Sequence, residues 1–141
     1  MLDFFDGLEG SWILSRCIMP GGEMKGQAEF KREGKDKLKY YESGSLTLVN
    51  GQISSFEKRY DYVLTDDDEV KIYFADGVTK GTLFQILVLD GSKTIEAEHF
   101  CEPDNYVSEY NFSQLPDRIK ISHKVPGQKK EYESKTTLTR A

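Results

Sequence analysis

Apolar and polar residues alternate with a period of two along most of this chain, and residues that favour tight turns separate the alternating runs. After Gly10, Trp12, Leu14 and Arg16 share one parity, and Pro20-Gly21-Gly22 ends the run. Alternation resumes over residues 25–31, with Ala28 and Phe30 on one face. Residues 37–49 predict a long strand with Tyr40, Glu42, Gly44, Leu46 and Leu48 on one face. Asn50-Gly51 closes it as a favoured two-residue hairpin turn, so residues 52–64 are its natural partner. Val70, Ile72 and Phe74 alternate up to Asp76-Gly77, and residues 83–89 form a more continuous apolar run ending at Asp90-Gly91. Residues 118–125 place Ile119, Ile121, His123 and Val125 on one face, and after Pro126-Gly127 a closing strand runs over residues 129–140. Helical periodicity is confined to a short turn over residues 3–8.

The most chemically loaded stretch is residues 96–112, two alternating patterns joined by a Pro103-Asp104-Asn105 turn. Ile95, Ala97, His99 and Cys101 share one face, and Tyr106, Ser108, Tyr110 and Phe112 share a face of the returning strand. An apolar face with a few placed polar groups suits the wall of a ligand cavity. Taken together, the runs give about ten short strands in hairpin succession, the pattern of an antiparallel up-and-down barrel, in which closure removes exposed sheet edges.

With 141 residues, the chain fits a single domain spanning 1–141. A net charge of -5 argues against a nucleic-acid surface, which normally shows a basic patch. The first residues lack the basic and long apolar regions of a signal peptide, and no run reaches transmembrane length. Cytoplasmic placement without membrane insertion is therefore expected. Cys17 and Cys101 lie far apart in sequence, which fits reduced thiols better than a disulfide scaffold, although a long-range bridge stays open. The acidic run over residues 66–69 lacks the spaced ligands of a calcium loop and reads as a solvated turn.

Gly10-Ser11-Trp12 near the start and Arg140 in the last strand resemble the calycin arrangement of lipocalins and fatty-acid-binding proteins. That resemblance implies a structural role, with Trp12 plugging one end of the barrel and Arg140 across its ring. A second resemblance spans nearly the whole chain and is to domain-of-unknown-function family 6314, a group of small calycin-like barrels. It is carried by Leu8, Gly10, Trp12 and Arg16, by Tyr40, Glu42, Gly44 and Leu46, and by His99, Cys101, Pro103, Asp104 and Tyr106. Val125, Gly127, Lys130, Thr136 and Arg140 complete it. Two positions depart from the family's pattern: Gln128 stands where Pro is usual, and Gln85 follows Phe84 where His is common, which weakens any role requiring two histidines. The resemblance implies a calycin-like barrel and no established activity.

Parity places Arg16, Glu42, His99, Tyr106, Tyr110 and Lys130 inside the barrel, with Cys101 beside His99. Buried charges are costly unless paired, so Arg16 and Glu42 form either a structural ion pair or part of a polar pocket. His99 is either a hydrogen-bonded core imidazole or a ligand contact. His99 and Cys101 have only Asp104 as a nearby third ligand and lack paired metal-site spacings, so no metal is expected. Two functions follow. The first is a barrel that binds a small, partly apolar, anionic molecule through Arg16 or Lys130, with Glu42, His99, Cys101, Tyr106 and Tyr110 lining the site. The second is a lyase or isomerase acting on a small carboxylate, with Glu42 or His99 as acid–base and Tyr106 as donor. Haem held by His99 or His123 is a third possibility, since a single His suffices for that ligation. No cofactor is otherwise indicated.

Overall fold

Alternating side chains dictate a sheet with one apolar face, and a sheet of this length hides that face by curling on itself. The computed structural model describes residues 2–19, 21–101, 104–126 and 131–141; the side chains of residues 2, 3, 98–101, 104–106, 125, 126, 131 and 132 fall outside the described set. A short helix, α1 (Leu2–Leu8), precedes the antiparallel strands β1 (Gly10–Met19), β2 (Gly22–Arg32), β3 (Lys37–Leu48), β4 (Ile53–Leu64) and β5 (Glu69–Phe74). The strands continue as β6 (Leu83–Val88), β7 (Thr94–Cys101), β8 (Asp104–Asn111), β9 (Arg118–Pro126) and β10 (Glu131–Arg140).

All ten strands belong to one sheet in the order β6-β5-β4-β3-β2-β1-β10-β9-β8-β7. Every strand but β6 and β7 is hydrogen-bonded to both of its neighbours in this order, and β1 pairs with β10 from Trp12↔Arg140 to Met19↔Glu133. Strands β6 and β7 are in contact, but no ladder joins them. The result is a nearly closed up-and-down barrel, consistent with the calycin-like arrangement expected from the sequence.

Two connections differ from the sequence expectation. Asp104 and Asn105 are not turn residues: β8 starts at Asp104, which pairs with Cys101, so the connection shrinks to residues 102–103, outside the described set. Asp76-Gly77 is not a tight hairpin either. Asp76 accepts the Arg59 backbone N–H at 2.9 Å, a 3₁₀ turn follows at Gly77–Thr79, and β6 begins only at Leu83. The β5–β6 register also shifts between Ile72 and Tyr73, and the neighbours Phe84 and Gln85 are both buried. Period two breaks locally, as it does at a bulge.

One end of the barrel is sealed by α1, whose Phe5 and Leu8 are fully buried in the same core as Trp12. The Trp12 Nε1–H donates to the Leu8 carbonyl at 2.9 Å, satisfying the indole while fixing the helix end. The Arg140 guanidinium stacks 3.9 Å from the centre of the Trp12 ring. It also donates to the carbonyls of Gly7, Glu9 and Pro116 at 2.6, 2.7 and 2.9 Å. A planar fork can stack and donate at once, which a lysine could not do.

Near the middle of the sheet Gly26 faces Gly44 across β2 and β3. A Cβ on Gly26 would lie 1.9 Å from the Ser43 carbonyl oxygen, and one on Gly44 would lie 2.1 Å from that of Lys25. The two backbones therefore approach as only glycines permit.

Trp12→Ala should destabilise the fold by about 3–5 kcal/mol, the range for truncating a large core aromatic, measured from urea midpoints. Gly44→Ala meets backbone and not a movable side chain, so we expect a loss near the upper end of the overpacking range, about 3 kcal/mol, in the same assay.

Candidate functional site

The interior is packed at the Trp12 end and hollow at the other. On β1, Trp12 and Leu14 belong to the core, whereas Arg16 and Ile18 line a cavity of about 540 Å³. The division repeats on neighbouring strands, because register sets residues side by side in layers. From Leu14 the packed layer continues through Leu138 to Ile119, and from Arg16 the cavity layer continues through Thr136 to Ile121. Beyond them Ile18, Ser134 and His123 form the next layer. Tyr60, Phe74 and Phe84 make an aromatic wall, with Tyr60 and Phe84 stacked at 5.4 Å.

Arg16 and Glu42 meet across β2, where Met24 faces Arg16 with its sulfur 3.7 Å from Nη1 and the small Gly26 and Ala28 follow toward Glu42. The guanidinium donates through Nη1 to Glu42 Oε2 at 2.7 Å and through Nη2 to Oε1 at 2.9 Å, a two-pronged charge-assisted contact. Arg16 Nε–H donates to Thr136 Oγ1 at 2.6 Å, and the Tyr40 hydroxyl donates to Glu42 Oε1 at 2.6 Å. The pair is asymmetric in exposure: the Arg16 side chain is 18% accessible and that of Glu42 is 3%. The cation therefore borders the cavity while the carboxylate is enclosed. Burial acts to lower the Arg16 pKa, but its hydrogen bonds and charge contact with Glu42 outweigh this and hold it above its ordinary value. Burial, followed by the Glu42 charge, raises the Tyr40 phenol well above its usual range, so it stays a donor.

A second polar chain crosses the open seam of the barrel. The Tyr110 hydroxyl donates to Gln85 Oε1, and Gln85 Nε2 donates to Ser108 Oγ at 2.6 Å. Ser108 Oγ lies 2.5 Å from His123 Nδ1. A hydroxyl oxygen can accept twice, so the Ser108–His123 contact can run in either direction, according to the tautomer of the ring. Burial, followed by the nearby Arg16 charge, lowers the His123 pKa to about 4, so the ring is neutral at pH 7. The ring also sits edge-on to Tyr110 at 6.0 Å and against Phe84 at 5.8 Å.

At the rim the Lys58 ammonium lies 5.4 and 5.0 Å from the Tyr60 and Phe74 ring centres and 3.2 Å from Asp76 Oδ1. Among the described residues no group of three or more His, Cys, Asp or Glu side chains is arranged to hold a metal ion. Among them, too, no helix is long and apolar enough to cross a membrane.

Of the residues singled out from sequence, Arg16, Glu42 and Tyr110 line this one cavity. His99 and Tyr106 are paired across β7 and β8, but their side chains, like that of Cys101, lie outside the described set, and so does Lys130 altogether. Cys17 is a free, exposed thiol. Sequence reasoning did not select Tyr40, Lys58, Gln85 or Ser108 as site residues, and it considered His123 only as a haem ligand. Parity already put Tyr40 beside Glu42 and His123 beside Ile121, so a signal existed for those two. Gln85 carried none, because its burial accompanies a break in alternation.

Fold and site define the class: an antiparallel up-and-down barrel with a half-hollow, aromatic and donor-lined interior. The chain belongs to the family of unknown function DUF6314, which matches residues 8–140. No curated protein matches it. Among solved structures it is similar to the S-type phycobiliprotein lyase CPES from Guillardia theta, with 13% identity and a TM-score of 0.69 over 99% of this chain and 91% of that one. It is also similar to the redesigned barrel mFAP1 bound to DFHBI, with 12% identity and a TM-score of 0.51 over 96% and 97% of the chains. A de novo designed fluorescence-activating β-barrel gives 13% identity and a TM-score of 0.52 over 100% of each chain. At these identities the likeness shows the fold.

Arg16→Met leaves the buried Glu42 with Tyr40 alone, and should cost about 3–5 kcal/mol; adding Glu42→Gln should recover part of it. Urea midpoints of the single and double variants measure both. A second expectation concerns pH. His123 has a folded pKa of about 4, below its unfolded value of 6.5, so the unfolded chain takes up the proton first. Its stabilising contribution is complete above about pH 6.5, falls as pH drops toward 4, and then levels off. At about 1.4 kcal/mol per unit the loss is about 3 kcal/mol. His123→Gln should therefore lose less stability than the wild type between pH 7 and 4.5, read from urea midpoints at each pH.

Proposed function

We propose that the protein binds a small, flat, largely apolar molecule bearing an oxygen acceptor or anionic group inside the barrel. The observation that carries this reading is the hollow half: a cavity of about 540 Å³, walled by Tyr60, Phe74 and Phe84, with the accessible face of Arg16 at its side. That volume lies within the range of small-molecule sites, and a mostly apolar wall with a few placed polar groups is their usual composition. Three solved barrels of similar fold are consistent with it, one named as a phycobiliprotein lyase, one bound to DFHBI and one designed to activate fluorescence.

Binding is favoured over the lyase or isomerase reading because Glu42, one of the two groups that would serve as acid–base, accepts two hydrogen bonds from Arg16 and one from Tyr40. Its oxygens are committed to a structural pair. The roles of His99, Cys101, Tyr106 and Lys130 remain part of the proposal, as further lining of the same barrel. Cytoplasmic placement is part of the same proposal.

The test is native mass spectrometry of the protein purified from its own cells, alongside Ile121→Trp, which places an indole in the cavity. A small molecule retained by the wild type and missing from the variant, with both folded by circular dichroism, is the expected result. A molecule retained equally by both, or none retained together with no uptake of a flat aromatic carboxylate, would contradict binding in this cavity.

A further inference from the structure

The groups turned toward the cavity differ in sign of hydrogen-bonding capacity in a way that narrows the ligand. Glu42, the carboxylate best placed to hold a cation, is enclosed by Arg16 and Tyr40. Arg16 can only donate. His123 would ordinarily be ambiguous, since a neutral imidazole offers one donor and one acceptor, and its neighbours choose which nitrogen is which. Here they choose through a chain of three. Tyr110 is buried and its phenol is raised well above its usual pKa by burial and by Tyr62 and Tyr60, so it presents a proton to Gln85 Oε1. That contact orients the amide, which turns its NH₂ toward Ser108. The Ser108 hydroxyl keeps its own proton for another acceptor, and His123 Nδ1 is the one within reach among the described residues; an Nδ1–H would leave that buried hydroxyl proton without an acceptor. Every link is buried or half-buried, where an unpaired donor or acceptor is expensive, so the chain resists reversal. Nε2 has no hydrogen-bond partner among the described residues, and no buried side-chain nitrogen or oxygen among them is left unpaired, so Nε2–H is open to the cavity that His123 lines.

We propose that His123, set as a fixed donor by the Tyr110–Gln85–Ser108 chain, is the specificity-determining residue of the cavity and selects flat conjugated molecules carrying a carbonyl or carboxylate oxygen over amines. The inference rests on the binding reading above and adds the class of ligand. A neutral ring with its proton on Nε2 gains a hydrogen bond from an oxygen acceptor. An ammonium group meets the donor face of His123, and Arg16 repels it. The aromatic wall accepts the flat body of either molecule alike, so the discrimination belongs to the nitrogen donors.

The experiment separates body from head group. Binding of 2-methylnaphthalene, 2-acetylnaphthalene, 2-naphthoate and 2-naphthylmethylamine is measured for the wild type, His123→Phe and Ser108→Ala, with urea midpoints to confirm folding. The ketone and the carboxylate should bind the wild type about tenfold more tightly than the hydrocarbon, the gain expected from one hydrogen bond, and the amine more weakly than the hydrocarbon. Within His123→Phe the ketone should bind no more tightly than the hydrocarbon, and Ser108→Ala should reduce the ketone's advantage by releasing the ring from one tautomer. Should the substituted proteins not fold, ¹⁵N spectra of the wild-type imidazoles, assigned with His99→Gln, report the tautomer directly. A proton on Nε2 of His123 at pH 7 supports the proposal, and a proton on Nδ1 overturns it. Equal binding of all four probes overturns the selectivity while leaving the cavity reading standing. No binding of any probe overturns both.

Discussion

The fork between Arg16 and Glu42 is the constraint on which the interior depends. Two charges withdrawn from water must be matched to each other, and here two short contacts, a tyrosine hydroxyl and a threonine hydroxyl complete the set. Such a pair gives little net stability over a well-packed apolar substitute, but losing one member is severe. Its value is therefore positional. It pins β1, β3 and β10 together just where apolar packing stops, and of its two charges the cation is the more accessible at the cavity.

The two halves of the barrel follow from what each strand places on either side of that fork. Toward α1 the inward residues are Trp12, Leu14, Phe30, Leu38, Ile119 and Leu138, large enough to interdigitate, and Arg140 ties the plug to the last strand. Toward the other end they become Arg16, Ile18, Ser134, Thr136 and His123, fewer apolar and more polar, and they do not fill the bore. The unpaired seam between β6 and β7 is bridged from inside, since Gln85 on β6 reaches Ser108 and Tyr110 on β8. The same contacts reach His123 through Ser108, so barrel closure and the cavity wall share one set of atoms.

Much of this was legible in the chain. Period two, with turn residues such as Asn50-Gly51 between runs, is enough to write a ten-stranded meander, because a one-residue slip would turn every inward residue out. Parity alone brought Arg16 and Glu42 to the same interior. It could not show that the two side chains touch across β2, which depends on the register of three strands. Phe56, Tyr60 and Tyr62 share one parity on β4, and pairing places Tyr60 between Tyr40 and Phe74 in the ladder. The Gln85–Ser108 and Gln85–Tyr110 contacts were hidden for a different reason. They join residues from strands that are not hydrogen-bonded neighbours, and the register shift in β5–β6 accompanies the loss of alternation around Gln85.

The central claim is that the barrel is hollow beside Arg16 while the Arg16–Glu42 fork stays intact. Its most direct measurement is a crystal structure of the protein soaked with 4-iodobenzoate, using the anomalous signal of iodine to locate the molecule. The account predicts iodine against Tyr60, Phe74 and Phe84, the carboxylate toward Arg16 and His123, and the two Arg16–Glu42 contacts preserved. Iodine found only on the outer surface, with the interior filled by repacked side chains, would contradict it.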